Sequence, residues 1–239
     1  MATCAKWTII AAFLSPVVFF AGKSLADGDS SNVDQTTSEL ERLIASTGID
    51  PQSLLNQGGE GGPYIALDEA IHHGAEARTG ELREIVKILP FAAPLDDYGI
   101  RSGFGARVDP LTGKRAFHPG VDLTAPYRTP VYSTAPGVVA FAGVRGSYGK
   151  TVEIDHGHGI VTRFAHLHRI SVAPGQAVGV HVKIGELGST GRSTGPHLHY
   201  EVLVNDDPLD PEKFLQAGAG AITAPSRDSV ITPASGMQR

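Results

Sequence analysis

Between residues 95 and 215 the apolar runs are short, and each is closed off by Gly, Pro or Asp. A helical bundle cannot accommodate that pattern, whereas strands joined by tight turns can. The runs are Pro130-Val131-Tyr132, then 137–142, 150–155, 160–167 and 197–204. Strands this short and this closely spaced predict a mainly β region, an antiparallel sheet folded on itself as a sandwich or partial barrel. The whole chain of 239 residues contains 29 Gly and 16 Pro beside 41% hydrophobic residues, enough for a core but poor material for long helices. Lys and Arg total 20 against 25 Asp and Glu, a formal charge of -5, so no general basic surface exists for nucleic acid.

The segments flanking this region read differently. Residues 1–26 have the form of an export signal: Lys6 precedes an uncharged apolar stretch over 7–22, and Ser24-Leu25-Ala26 supplies small residues at a cleavage site. The apolar stretch contains Pro16 and is shorter than the roughly 20 residues of a membrane span, so membrane attachment is expected only if the signal stays uncleaved. Cleavage would remove Cys4, the single cysteine, leaving an exported chain held by its core or a metal and excluding a cysteine nucleophile. Residues 27–94 read as a short helical arm, polar and flexible over 27–35. Leu40, Leu43 and Ile44 form one amphipathic stretch stopping at Gly48, and Leu82, Ile85, Val86 and Leu89 another that ends at Pro90, with Thr79 as its N-cap. A Gly-rich break at 57–63 can act as a hinge. Through it the arm either restrains the region beyond or merely props a sheet edge or pairs with another copy. Residues 216–239, rich in Ala, Gly, Ser, Thr and Pro, read as a disordered tail.

Ten histidines need sorting. On a strand over 197–204, alternation puts Leu198, Tyr200, Val202 and Val204 on one apolar face and His197, His199 and Glu201 on the other. The backbones of His197 and His199 would lie about 6.5–7 Å apart, so one imidazole can ligate a cation while the other reaches toward a substrate bound to it. His118-Pro119-Gly120-Val121-Asp122 sets an imidazole and a carboxylate four residues apart across a Pro-Gly turn, where both can meet one cation. Two His and one Asp match the three protein ligands of a catalytic zinc site. His72, His73, His156, His158 and His181 read as polar surface residues.

With Ser102-Gly103-Phe104-Gly105, Arg163-Phe164-Ala165-His166-Leu167 and the run 188–201 added, the sequence resembles the lysostaphin-type zinc metallopeptidases, in their order and spacing over about 97–215. It is similar in particular to exported peptidoglycan endopeptidases of Gram-negative bacteria, in which a helical region precedes the peptidase domain. The resemblance implies a zinc metallopeptidase domain at 95–215. One Zn2+ ion would be held by His118, Asp122 and His199, with His166 and His197 as the catalytic, non-ligand histidines. Two positions depart from the family's pattern. His168 stands in place of a small hydroxyl residue, on the strand face expected for His166, and His181 stands in place of a turn glycine.

The implied activity is zinc-dependent hydrolysis of peptide cross-links in peptidoglycan by a D,D-endopeptidase at the periplasm or cell envelope, with stem peptides as the partner and no nucleic acid. No serine triad motif of the G-x-S-x-G kind competes with it. A noncatalytic cell-wall regulator that binds and activates an amidase is the alternative, and the complete set of ligand positions favours the enzyme.

Overall fold

The computed structural model describes residues 30–55, 67–108 and 113–223. The export-signal segment, the Gly-rich break and residues 224–239 lie outside them. Three helices come first: α1 (Ser30–Ser46), α2 (Pro51–Leu55) and α3 (Leu67–Ile88). The strands are β1 (Gly99–Ser102), β2 (Gly105–Val108), β3 (Arg115–His118), β4 (Val121–Thr124), β5 (Pro130–Tyr132) and β6 (Gly137–Val144). A 3-10 turn (Gly146–Tyr148) leads into β7 (Lys150–Gly157), β8 (Ile160–Leu167), β9 (Arg169–Ile170), β10 (Ala177–Val178), β11 (Lys183–Glu186), β12 (Leu198–Val204) and β13 (Asp207–Leu209), and α4 (Pro211–Thr223) is the last of the described elements.

The region is mainly β, as its punctuation predicts, and among the described residues every strand pairing is antiparallel. The large sheet runs β1-β4-β12-β8-β7-β6-β10 with β13 beside β12, a small sheet runs β5-β11-β9, and β2-β3 is a separate hairpin. At His168 the chain leaves β8 in the large sheet and enters β9 in the small one, so the two sheets share a seam there. Val131 and Ile184 of the small sheet join Val121, Leu123, Ile154, Phe164 and Tyr200 of the large one in a single hydrophobic core. Full burial of each such aliphatic side chain contributes about 1.5–3 kcal/mol.

The arm belongs to that same core. Leu40 and Ile44 of α1, Leu54 of α2 and Leu82, Ile85 and Val86 of α3 are buried with Phe214 of α4. The connection 89–98 is tied to the strands by Ala92 N–H donating to Thr134 O and by Tyr132 N–H donating to Pro94 O.

Three expectations are corrected here. Thr79 is no N-cap: α3 starts at Leu67, and the Thr79 hydroxyl bonds back to Ala75 O and to the Thr37 hydroxyl, which pins α3 to α1. Mid-helix threonines tolerate this because their hydroxyl can share the carbonyl four residues back. Residues 30–35, read as flexible, are already helical, with the hydroxyls of Thr36 and Thr37 bonding in the same way to Asn32 O and Val33 O. The expected tail is helical as far as Thr223. Its composition conceals a buried stripe of Phe214, Leu215 and Gly218, spaced as one helix face requires. A Cβ at Gly218 would lie 2.0 Å from Phe91 O, so only glycine allows this close docking.

Candidate metal centre

Strand register brings the site together. His199 on β12 lies opposite Asp122 on β4 on one side and Ala165 on β8 on the other, while His118 ends β3 opposite Gly105. The turn through Pro119 and Gly120 carries the chain from His118 to Asp122 directly beneath β12. A Cβ at Gly120 would sit 2.4 Å from Tyr200 O, so a glycine is required for that approach.

The ligating atoms of His118, Asp122 and His199 all lie within 4.8 Å of one another, and all three residues are buried. His118 Nε2 is 3.2 Å from Asp122 Oδ1 and 3.1 Å from His199 Nδ1, and that Nδ1 is 2.9 Å from the same Oδ1. The outer nitrogen of each imidazole is occupied. His118 Nδ1–H donates to Gly103 O at 2.8 Å, and His199 Nε2–H donates to Glu201 Oε1 at 2.8 Å. With the protons on those outer atoms, three lone-pair acceptors face one another at hydrogen-bond distance, an arrangement that a cation relieves. Two nitrogens and one carboxylate oxygen are a donor set suited to zinc, with room left for a fourth ligand. Burial opposes ionisation of Asp122, but when the facing nitrogens of His118 and His199 carry protons their contacts outweigh that cost and hold its carboxyl well below the usual carboxylate range.

His166 and His197 stand over the same hollow, their ring centroids 4.8 Å apart. His166 Nδ1–H donates to Thr190 O at 2.7 Å and His197 Nδ1–H donates to Gly195 O at 2.8 Å, so the Nε2 atoms are the ones left for chemistry. His197 Nε2 lies 3.7 Å from Asp122 Oδ1. Burial, reinforced by the neighbouring imidazoles, pushes the His166 ring down to about 4, which keeps it neutral near pH 7 with its Nε2 lone pair free. His166 also has a left-handed backbone, φ 59°, rare for a residue with a side chain. That twist breaks the strand alternation, so His168 does not share its face. Instead His168 Nδ1 meets the Tyr127 hydroxyl at 2.8 Å and its carbonyl accepts from Lys150 Nζ, outside the hollow.

The sequence reading missed the shell that holds these groups. Glu201, on the strand face of His197 and His199, is wholly buried. It accepts from the Tyr148 hydroxyl at 2.8 Å and from Arg163, which is paired in turn with Glu153. Burial and the bond to Glu201 raise the Tyr148 phenol to about 12, and the phenol stays protonated as the donor. The H-x-H-x-E alternation was the available signal for Glu201, whereas nothing in the sequence pointed to Tyr148. Two other histidines also depart from expectation or illuminate it. His156 is 5% exposed, not a surface residue; it donates from Nδ1 to Pro136 O and takes a bond from Thr162 at Nε2. His181 keeps the turn where a glycine was usual by adopting φ 59° and stacking on Tyr132 at 4.2 Å.

Residues 116–211 match the sequence profile of peptidase family M23, and the chain therefore carries a domain of that family. It is 48% identical over 118 residues to the DD-carboxypeptidase/endopeptidase Mpg of Neisseria meningitidis serogroup B, covering 49% of this chain and 27% of that protein. To the peptidoglycan DD-endopeptidase ShyA of Vibrio cholerae it is 33% identical over 194 residues, 80% of this chain and 44% of the relative. Among solved structures, the catalytic domain of the antimicrobial peptidase lysostaphin from Staphylococcus simulans shares 30% identity. It aligns with a TM-score of 0.46, covering 50% of this chain and 92% of that one. The chain thus spans less than half the length of the curated relatives it matches.

Proposed function

We propose that the protein is a zinc-dependent endopeptidase that hydrolyses peptide cross-links of peptidoglycan. The observation that carries this reading is the convergence of His118, Asp122 and His199 on one point beneath two further histidines whose outer nitrogens are already anchored. The two curated relatives, named for DD-endopeptidase activity, support the same substrate class.

His118, Asp122 and His199 would hold one zinc ion, which supplies Lewis acidity for a scissile carbonyl and for an attacking water. The chain's own groups do the rest. His166, neutral and fixed by Thr190 O, accepts a proton at Nε2. His197, fixed by Gly195 O, presents Nε2 to the same hollow beside His166; carrying a second proton there, it stabilises charge developing on the carbonyl oxygen or passes that proton to the leaving nitrogen. The bond cut is assigned to the one between D-alanine and the diamino acid of the neighbouring stem. Access to it requires delivery to the cell envelope, which the export-signal character of residues 1–26 supports. Among the described residues no helix is long and apolar enough to cross a membrane.

The test is mass spectrometry of muropeptides from purified sacculi treated with the protein. Cross-linked dimers should be converted to monomers, the conversion should stop with a chelator, and zinc should restore it. Dimers left intact by protein carrying one zinc per chain would refute the enzyme and favour a noncatalytic regulator.

A further inference from the structure

A second hollow adjoins the metal centre. The two share Arg107, Asp122, Thr194 and His197, so they form one continuous groove, and the second adds Arg101, Ser102 and Val108 to its wall. Arg107 on β2 bonds through Nη1 to the Ser102 hydroxyl and lies 3.3 Å from Asp122 Oδ2. Arg101, exposed on β1, reaches the loop before β12, where Nη2 donates to Thr194 Oγ1 at 3.3 Å. Asp122 is the sole carboxylate among the described residues lining either hollow. Two guanidinium groups therefore flank one acid, in a chain that is acidic overall. With a dication at the centre the local balance is more positive still. Guanidinium is the side chain best shaped to receive a carboxylate, through paired N–H donors.

We infer that this hollow is a carboxylate subsite: Arg101 and Arg107 receive the free carboxylate of the residue that supplies the scissile amide nitrogen. The orientation follows from His197, which borders both hollows, whereas His166 lines only the metal-centred one. A histidine at that border is placed to protonate the departing nitrogen, which puts the residue bearing that nitrogen in the arginine-walled half. The chemistry has two possible sources. In a carboxypeptidase reaction the carboxylate is the chain terminus; in cross-link cleavage it is the one attached to the carbon next to the linking nitrogen of the diamino acid. The inference rests on the proposed peptidase reading and names what sets its substrate preference.

Binding is measured by titration calorimetry on the full-length, zinc-loaded His166→Ala chain, and turnover separately on the wild-type chain. One arm uses a stem pentapeptide ending in D-Ala-D-Ala, as free acid and as C-terminal amide. The other uses a cross-linked stem dimer whose diamino residue carries either a free or an amidated carboxylate at that carbon. The acid should bind at least about tenfold more tightly than the amide in one arm or both, the loss expected when a charge-assisted bond has no partner, and the responsive arm identifies the source. Adding Arg101→Gln should erase the preference and Arg101→Lys should restore part of it, with zinc stoichiometry unchanged because Arg101 does not touch a ligand. Arg107→Gln, which removes a neighbour of Asp122, is read alongside its zinc content. Equal binding of acid and amide in both arms overturns the subsite, as does a preference that survives both glutamine substitutions. A clear acid preference in a wild-type chain that cleaves neither probe leaves the subsite standing and refutes the peptidase reading; turnover without any preference does the reverse.

Discussion

His199 Nε2 lies 2.8 Å from Oε1 of Glu201, two residues further along the same strand, and that carboxylate has no exposure to solvent. The bond fixes the His199 tautomer with its lone pair on Nδ1, facing His118 and Asp122. Glu201→Gln should keep an acceptor for His199 but remove the charge that Arg163 faces, lowering zinc affinity by about 10–100-fold, as loss of an outer partner typically does. Glu201→Ala should in addition destabilise the fold by about 3–5 kcal/mol, since it leaves Arg163 with a buried charge and one partner fewer. Chelator competition and urea denaturation measure the two effects.

Ligand and non-ligand histidines should separate cleanly. His118→Ala or Asp122→Ala should abolish zinc binding and hydrolysis together. His166→Ala or His197→Ala should retain one zinc per chain and reduce kcat by about 10²–10⁴. Metal analysis beside rate measurement decides this, and zinc loss from His166→Ala equal to that from His118→Ala would overturn the assignment.

His168→Ala should leave turnover within about twofold of the wild type, since the residue is only half-buried and lines no part of the hollow at the metal centre. Its ring meets the Tyr127 hydroxyl, its backbone bonds Lys150 Nζ and Glu186 O, and none of these partners lines the hollow at the metal centre. Inactivity equal to that of His166→Ala would place both residues in the site.

Burial lowers the pKa of His156, and the bond to Pro136 O only partly opposes this. Below about pH 6.5 the unfolded chain therefore takes up a proton at this position that the folded chain resists. The stability tied to neutral His156 is fully present above pH 6.5 and is lost as pH falls toward the folded value. His156→Gln, which can bond but not titrate, should lose less stability than the wild type between pH 7.5 and 5.5. Urea denaturation at the two pH values measures the difference, and because His166 is present in both proteins its own titration cancels.

Removing the arm should cost stability and not release activity. Among the described residues none from 30–94 lines either hollow, while Leu40, Ile44, Leu82 and Ile85 share the core with the sheet. This favours the arm as a prop over the arm as a cover. A fragment of residues 95–239 should unfold well below the Tm of the longer chain, and a folded fragment with a faster rate would revive the idea of restraint.

The longer strands and the pairs His118–Asp122 and His197–His199 were legible in the sequence because both rest on short-range pattern: alternation within each apolar run, and fixed spacing inside runs such as 118–122 and 197–201; His166 and the division of roles came only from the resemblance to lysostaphin-type metallopeptidases. What holds those groups was not. Tyr148 meets Glu201 across 53 positions, and His166 is anchored by the carbonyl of Thr190; no local pattern marks either contact. His156 was misread because a single histidine carries no periodicity, and only the packing of β6, β7 and β8 decides that it is enclosed. Helix α4 was hidden by small residues that compositional reasoning assigns to disorder, although Gly218 is needed for contact with Phe91 O.

The carbonyls that orient His166 and His197 belong to Thr190 and Gly195, two points on one connection between β11 and β12. The three residues converging beneath them sit on or beside paired strands. On the proposed reading, affinity for the cation and handling of protons are therefore entrusted to different parts of the fold, one a set of paired strands and the other a connection. A displacement of that single connection would retune both upper imidazoles in concert while the cation seat stayed where the sheet puts it, so a lineage could alter how fast such a site turns over without relinquishing its metal.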